Sequence, residues 1–272
     1  MTTTKRVAVV TGASSGIGAA AASALVDAGF EVVGTSRRAA SLIAPPGVTL
    51  IDLDVTSEES VAAAVGEVIE RFGRIDVLVN NSGIGASGAA EDSSVELDRR
   101  VFDVNVFGVM RMTKAVLPHM RAQGQGRVVN VSSVLGFIPQ PYMAAYASTK
   151  WAIEGWTESL DHEVREHGIR AVMVEPMWTN TGFDAKMLQA DQPLPAYASG
   201  RKAFAGYMAE ALKQGDPAAV VAASIVSAAK DPKPKARYAA GRRVGPLSMV
   251  RRYVPHSAFD AQIRKLNRLP RC

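Results

Sequence analysis

Cysteine is nearly absent from this chain of 272 residues, since the only one is Cys272 at its end. No intramolecular disulfide can form, so we expect a fold that needs no oxidising compartment and a tail thiol that is inert rather than nucleophilic. Long apolar runs are also missing. No stretch approaches the ~18 uncharged apolar residues of a membrane span, and the run from Val7 to Val10 is too short for a secretory signal. These absences predict a cytoplasmic location.

Acidic residues are scarce near the C-terminus. Residues 230–272 contain 12 Lys and Arg but only 2 Asp and Glu, whereas the remainder contains 19 basic and 24 acidic residues. Such asymmetry can indicate contact with a membrane surface or a nucleic acid. Because Pro246 and Pro255 interrupt the segment, we favour a solvated tail packed against its own or a partner subunit over a peripheral membrane contact. We expect no nucleic-acid partner.

Short β-branched runs alternate with helical stretches along most of the chain. The runs predicted as strands cover residues 6–10, 31–36, 48–53, 75–79, 127–131, 169–174 and 236–240. Helices are predicted at 16–28, 56–72, 95–120 and 145–167, and from Pro217 onward. Thr56 and Glu59 have the spacing of a capping box at the start of the second helix. Nearly continuous apolar strands between helices are typical of a parallel sheet covered on both faces.

The predicted fold is therefore a single α/β domain over residues 1–272, a Rossmann-type doubly wound parallel sheet of about seven strands with helices on both faces. Two segments fall outside the alternation. Residues 180–215, with Pro193 and Pro195 and weak periodicity, suit a mobile helical lid over a substrate site. Residues 242–272 form a basic C-terminal extension.

A glycine-rich turn follows the first predicted strand and opens the first helix. It reads Thr11-Gly12-Ala-Ser-Ser-Gly16-Ile-Gly18. Backbone amides at a helix N-terminus attract an anion, and glycines let a pyrophosphate approach closely. The spacing G-x-x-x-G-x-G differs from the usual G-x-G-x-x-G, so an ordinary tight strand–helix connection stays open as an alternative. The position between strand and helix favours a dinucleotide-binding turn.

The end of the second predicted strand carries the signal for the type of nucleotide. NAD-binding folds commonly place an acid there to accept from the ribose 2′-hydroxyl. Here the chain reads Thr35-Ser36-Arg37-Arg38, without an acid. A guanidinium at this point would grip a 2′-phosphate, which favours NADP(H) over NAD(H). The alternative is a pair of solvent-exposed arginines.

A tyrosine and a lysine lie four residues apart in Tyr146-Ala-Ser-Thr-Lys150, on one face of the predicted long helix. A free phenol titrates near ~10, and we expect the neighbouring ammonium to lower that pKa. The pair could then donate a proton in carbonyl reduction and accept one in alcohol oxidation. Ser133, just past the fifth predicted strand, could hydrogen-bond the substrate oxygen. We favour it over the competing Ser132.

Together these motifs resemble the short-chain dehydrogenase/reductase family. The matching residues occur in the family's order within residues 5–181 and are Thr11, Gly12, Gly16, Ile17, Gly18, Asp54, Val55, Asn80, Asn81, Ser82, Gly83, Asn105, Ser133, Tyr146 and Lys150. Two positions depart from the family pattern. Ser82 replaces the usual alanine, and Met177 follows Pro176 where the family has glycine, which leaves the geometry of that loop and the role of Thr181 open.

The resemblance implies catalytic roles. Tyr146 would exchange the proton with the substrate, and Lys150 would also hold the nicotinamide ribose hydroxyls. Ser133 would position the substrate oxygen, and Asn105 would anchor a water that links Lys150 to solvent. Without the family, Asn105 is a buried amide at a helix kink.

The resemblance also implies a set of cofactor contacts and no metal. Asp54 and Val55 would meet the adenine, Asn81 the adenosine side, and Thr181 the carboxamide. Without the family, Asp54 is interpreted as a helix cap. The full set of predicted cofactor-binding residues is Gly12, Ser14, Ser15, Gly16, Ile17, Gly18, Arg37, Asp54, Val55, Asn81, Gly83, Tyr146, Lys150, Pro176 and Thr181.

These features predict an NADP(H)-dependent oxidoreductase acting on a carbonyl or secondary alcohol. The long tail is similar to that of family members that act on hydroxysteroids, retinoids or other lipophilic carbonyls. The residues expected to face the substrate, or alternatively only to pack the lid, are Pro139, Tyr142, Met143, Met177, Trp178 and Phe183. The rival hypothesis is a catalytically idle NADP-binding sensor or interaction protein. The resemblance further implies a homodimer or homotetramer.

Overall fold

Seven parallel strands form the central sheet of the computed structural model, which describes residues 5–269. The strands are β1 (Val7–Val10), β2 (Glu31–Ser36), β3 (Val48–Asp52), β4 (Val77–Asn80), β5 (Gly126–Val131), β6 (Ile169–Pro176) and β7 (Arg237–Ala240). Their order across the sheet is β7-β6-β5-β4-β1-β2-β3, and every neighbouring pair runs parallel. The prediction of a seven-stranded Rossmann-type sheet is confirmed. Cys272 lies outside the described residues, so its inertness stays a prediction.

Helices cover both faces of the sheet, as predicted. They are α1 (Gly16–Asp27), α2 (Glu58–Phe72), α3 (Val95–Phe102), α4 (Gly108–Gln123), α5 (Ala144–Val164), α6 (Ala198–Lys213), α7 (Ala218–Lys230), α8 (Val244–Tyr253) and α9 (His256–Leu266). Helices α1 and α7 share one apolar core with Ala8 and Val10, whereas α2, α4 and α5 share another with Val7 and Val9. Alternate residues of one strand thus enter opposite cores, which is why the strands are apolar at nearly every position.

The start of α2 differs from the prediction. The helix is capped by Ser57, whose hydroxyl accepts from Ser60 N at 3.1 Å. Thr56 lies one residue too early, and both its N–H and its hydroxyl donate to Asp54 Oδ1, at 2.9 and 2.7 Å. The predicted Thr56–Glu59 capping box is therefore wrong, because the Asp54 carboxylate engages the Thr56 hydroxyl. Asp54 likewise closes the turn before the helix and does not cap α2.

The predicted helix at 95–120 is two α-helices joined by a single π-helical turn, Asp103–Phe107. Such turns are frequent at functional sites, and this one contains Asn105. A second boundary also shifts: Pro217 is the extended residue that precedes α7 and not its first helical residue. Asp216–Pro217 instead pairs with Thr179–Asn180 in a short parallel ladder.

The segment expected as a lid, residues 180–215, is tied to the loop after β4. Leu188–Gln189 pairs with Ala86–Ser87. The fully buried Asp92 carboxylate accepts from Leu194 N at 2.9 Å and forms an ion pair with Arg201. The helical content of the lid segment is α6 with two short 3-10 turns. Its mobility stays a prediction.

The basic C-terminal extension forms α8 and α9, which pack on the chain's own apolar surface. Val244 and Phe259 are buried in a cluster with Val134 and Leu135. Pro246 lies in the first turn of α8, where a missing N–H breaks no helical hydrogen bond. The expectation that Pro246 interrupts the segment is therefore wrong. Within residues 5–269, none of the helices combines the length and apolar character that crossing a membrane requires.

Candidate active site

A cleft of about 630 Å³ opens at the carboxyl ends of the strands. It lies where β1 and β4 are neighbours and the strand order reverses, the place where open α/β sheets bind their ligands. Most predicted site residues line it, namely Gly12, Ser14, Ser15, Gly16, Ile17, Arg37, Asp54, Val55, Asn81, Gly83, Ser133, Tyr146, Lys150, Pro176 and Thr181. Gly18 and Asn105 lie behind its wall.

The glycine turn has a backbone that other residues adopt with strain. Gly12 and Gly16 have φ angles of 69° and 57°. A Cβ on Gly18 would collide with Gly12 O, so Gly18 serves the close packing of helix on turn. Ser15 precedes α1 without a side-chain capping hydrogen bond, so the first amides of α1 face the cleft without a side-chain acceptor from that residue.

Thr11 and Asn81 brace this turn against the loop after β4. Thr11 Oγ1 accepts from the backbone N–H groups of Asn81 and Ser82, each at 3.0 Å. Asn81 Nδ2 in turn donates to Thr11 O at 2.9 Å. The amide group of Asn81 thus holds the turn from within the cleft wall.

Two guanidinium groups are among the residues that line the cleft. Arg37 is exposed and lies close enough to Asp54 to contribute to the lowered pKa of that carboxyl, which is caused mainly by the hydrogen bonds from Thr56. Arg100 reaches the cleft from α3. Sequence reasoning missed Arg100, because no local pattern connects α3 with the cleft. Arg38, the other candidate, does not line the cleft.

Tyr146 and Lys150 project from α5 towards Ser133, which follows β5. Lys150 Nζ donates to Val131 O at 2.9 Å and lies 5.5 Å from the centre of the Tyr146 ring. Ser133 Oγ accepts from Leu135 N at 3.1 Å and stays within reach of the phenol, whose pKa it lowers. Ser132 Oγ finds no hydrogen-bond partner within residues 5–269 and lies deeper. This geometry favours Ser133 at the substrate oxygen.

The electrostatic environment of Tyr146 differs from the expectation. Burial raises the pKa of its phenol well above the ordinary value, and the Asp184 carboxylate raises it further. The expected lowering of this pKa by Lys150 is therefore wrong for the protein alone, because desolvation penalises the phenolate. Burial also lowers the pKa of Lys150 to about 8, against the opposing charge of Glu154. The protein alone therefore holds Tyr146 as the protonated phenol.

Asn105 is 1% exposed and fully engaged with its neighbours. Its Oδ1 accepts from Ile84 N, and its Nδ2 donates to Ile84 O, both at 2.9 Å. The same Nδ2 donates to Thr149 Oγ1 at 3.2 Å. Asn105 thus ties the π-turn to the loop after β4 and to α5. The amide does not repair a kink of its own helix, and its predicted water contact stays a prediction.

The opposite wall is largely apolar. Of the six residues expected to face a substrate, four line the cleft: Met143, Met177, Trp178 and Phe183. Pro139 is exposed and Tyr142 packs against Phe204, so neither reaches the cleft. Met177 avoids the positive φ that a glycine would permit there. Sequence reasoning missed Asp184, a half-buried carboxylate of the lid segment in this wall.

Comparison with known proteins gives consistent matches. The model of the short chain dehydrogenase family matches residues 6–192. The uncharacterized oxidoreductase YusZ of Bacillus subtilis is 34% identical over 278 residues, which cover 96% of this chain and 98% of that protein. A 3-ketodihydrosphingosine reductase of Bacteroides thetaiotaomicron is 41% identical over 178 residues, a match that spans 65% of each chain.

Solved structures show the same architecture. A short-chain dehydrogenase from Streptomyces avermitilis superposes with a TM-score of 0.81 at 36% identity, covering 97% of this chain and 99% of the other. A short-chain dehydrogenase/reductase from Burkholderia phymatum in complex with NAD gives a TM-score of 0.78 at 26% identity, with 95% of each chain covered.

Proposed function

This chain belongs to the short-chain dehydrogenase/reductase family, and from that premise we propose that it transfers a hydride between NADP(H) and a lipophilic carbonyl or secondary alcohol. The observation that carries the proposal is the meeting of Tyr146, Lys150 and Ser133 in one cleft with a glycine turn. A protein that only sensed the cofactor would not need these three groups together. The idle sensor therefore remains the weaker hypothesis.

The residues present fit a dinucleotide. Gly12 and Gly16 adopt positive φ angles and carry no Cβ, so the backbone of the turn can approach a ligand closely at these two positions. The backbone amides of the turn and the N-terminus of α1 would hold the pyrophosphate. Asp54 and Val55 would border the adenine, and Lys150 the nicotinamide ribose. The bound nicotinamide would supply or accept the hydride.

Arg37 supports the preference for NADP(H). It directly follows β2, where an acid would serve a ribose hydroxyl, and it lines the cleft. Arg100 is a second guanidinium among the residues that line the cleft. A guanidinium suits a 2′-phosphate better than a hydroxyl.

The proton in carbonyl reduction comes from Tyr146 in this proposal. Its raised pKa keeps the phenol protonated at neutral pH, as a donor must be. Ser133 would donate a hydrogen bond to the same substrate oxygen and fix its position. In alcohol oxidation the phenolate form is required, and the positive charges of Lys150 and of the oxidised nicotinamide would favour it.

The proposed substrate is a lipophilic ketone or the corresponding alcohol. Met143, Met177, Trp178 and Phe183 give the cleft an apolar wall, which disfavours small charged substrates. A relative named for reduction of 3-ketodihydrosphingosine, by its name a ketone, supports this class. We also propose that the active form is a homodimer or homotetramer located in the cytoplasm.

A ketone panel with NADPH and NADH tests the proposal. We expect oxidation of NADPH with at least one aliphatic, aromatic or steroidal ketone. Tyr146→Phe should lower kcat by roughly 10²–10⁴-fold, the usual contribution of general acid catalysis, while NADPH binding stays nearly unchanged. Lys150→Ala should weaken both. Cofactor binding without turnover on the whole panel would favour the idle sensor, and near-normal turnover by Tyr146→Phe would exclude Tyr146 as the proton donor.

A further inference from the structure

A buried acid beside the catalytic pair has no part in the proposed reaction. Glu154 lies on α5 four residues after Lys150, so the two side chains share one face of the helix. Glu154 is 4% exposed and Lys150 is 8% exposed. Acids and lysines are rarely buried to this extent unless they are paired. Because both Glu154 and Lys150 are buried, we expect their charges to be balanced by opposite charges nearby.

Arg237 of β7 supplies part of that balance. Its guanidinium forms an ion pair with Glu154, another with Glu175 of β6 at 2.6 Å, and a third with Glu158 of α5 at 2.9 Å. Glu175 is as buried as Glu154, whereas the Glu158 side chain is 51% exposed. Two buried carboxylates thus share one guanidinium. The two buried carboxylates are balanced in charge only when Lys150, as well as the partly exposed Arg237, is positively charged.

The second carboxylate oxygen of Glu154 lies beside Gly136, near the hydroxyl of Ser132. Within residues 5–269, Glu154 Oε1 and Ser132 Oγ are buried without a partner in hydrogen-bond geometry. Both would lie 2.8 Å from a Cβ on Gly136, so this glycine leaves the space into which the carboxylate and the hydroxyl project. While Arg237 holds one oxygen, the other therefore lies beside the wall that carries Ser133.

The pKa values agree with this arrangement. Burial raises the pKa of Glu154 to about 7 and the charge of Glu175 adds to that, whereas Ser132 and Arg237 oppose it. Burial lowers the pKa of Lys150 to about 8, and Glu154 opposes that change. Between these two values both groups are ionised. Loss of the Glu154 charge would therefore lower the pKa of Lys150 further.

We propose that Glu154 is a positioning residue that keeps the ammonium of Lys150 charged, and that Arg237, itself held by Glu175, holds Glu154 in place for this purpose. The inference rests on the proposed function for the importance of Lys150. The effect of Glu154 on the charge of Lys150 can be measured without any turnover.

The primary experiment is an NMR titration of the full chain with 13Cε-labelled lysine. The Lys150 signal is assigned from its loss in Lys150→Met. In Glu154→Gln we expect the midpoint of Lys150 to fall by about one pH unit, because a buried opposite charge is removed. Glu158→Gln is the matched control, since it removes an exposed carboxylate from the same arginine. Its midpoint should stay within ~0.3 unit of the parent protein.

Kinetics give the functional readout. The alkaline limb of kcat/KM for ketone reduction should move to lower pH by the same amount in Glu154→Gln and stay in place in Glu158→Gln. Glu154→Asp, which keeps the charge on a shorter side chain, should show a smaller change and covers the case in which the glutamine variant does not fold. An unchanged Lys150 midpoint in a folded Glu154→Gln or Glu154→Asp protein overturns the proposal. If the parent protein turned over no ketone, the proposed function would fail while the titration still decided the role of Glu154.

Discussion

Replacing Arg37 with alanine should lower the catalytic efficiency with NADPH but not with NADH. Arg37 directly follows β2, lines the cleft and is exposed. A hydrogen bond to a charged group contributes about 1.5–3 kcal/mol, and solvent at this exposed position places Arg37 near the lower limit. We therefore expect kcat/KM with NADPH to fall roughly tenfold, since about 1.4 kcal/mol corresponds to one factor of ten. With NADH it should change little.

The assay is initial rates with each cofactor at a fixed concentration of one accepted ketone. Arg38→Ala is the matched control, because Arg38 is equally exposed and adjacent but does not line the cleft. The preference should fall mainly through KM for NADPH, as expected when ground-state binding is lost. Equal efficiencies with both cofactors in the parent protein, unchanged in Arg37→Ala, would refute the assignment of NADP(H).

Two further predictions concern carboxylates. Asp184→Asn removes a negative charge that raises the pKa of Tyr146, so the acid limb of alcohol oxidation should move to lower pH by a few tenths of a unit and rates below it should rise roughly twofold; an unmoved limb would contradict this. Asp161, 3% exposed, has a pKa lowered to about 2, with hydrogen bonds from Arg170 and Arg165 outweighing the opposing effect of burial. Because its folded pKa lies below the unfolded one, it should contribute up to about 2 kcal/mol above pH ~4, lost as the pH falls towards ~2. Between pH 7 and pH 3 the free energy of unfolding in urea should therefore fall by about 1 kcal/mol more in the parent than in Asp161→Asn, and an equal fall in both proteins would refute it.

The sheet could be predicted because its strands carry a local signal. Val7–Val10 and the other central runs are buried on both faces, so nearly every position is apolar and mostly β-branched. Helix ends were harder. Thr56 and Glu59 satisfy the spacing of a capping box, yet the nearby Asp54 carboxylate engages the hydroxyl of Thr56. Competition between two local hydrogen bonds is decided by geometry that spacing does not contain.

The residues of the candidate site also fall into those that a local pattern predicts and those that it does not. Tyr146 and Lys150 lie in one compact motif and the glycine turn in another, so local spacing marks each as a candidate, and the resemblance to the family predicts that they act together. Arg100 and Asp184 enter the cleft from α3 and from the lid segment, and no short-range pattern connects them to it. Their contribution depends on the packing of distant segments. The π-turn at Asn105 likewise depends on its bonds to Ile84.

The role proposed for Glu154 could be predicted in part, because the sequence contains a local pattern that marks this residue. The buried face of α5 recurs at helical spacing through Ala147, Lys150, Ile153, Glu154 and Thr157. A carboxylate on an otherwise buried stripe is unusual, and its position one turn after Lys150 points to that lysine. What the sequence could not provide is the partner: Arg237 lies 83 residues away and approaches only because β7 is the neighbour of β6 in the sheet. In our proposal the charge state of Lys150 therefore depends on residues across the edge of the sheet and not only on the four-residue motif that identifies it.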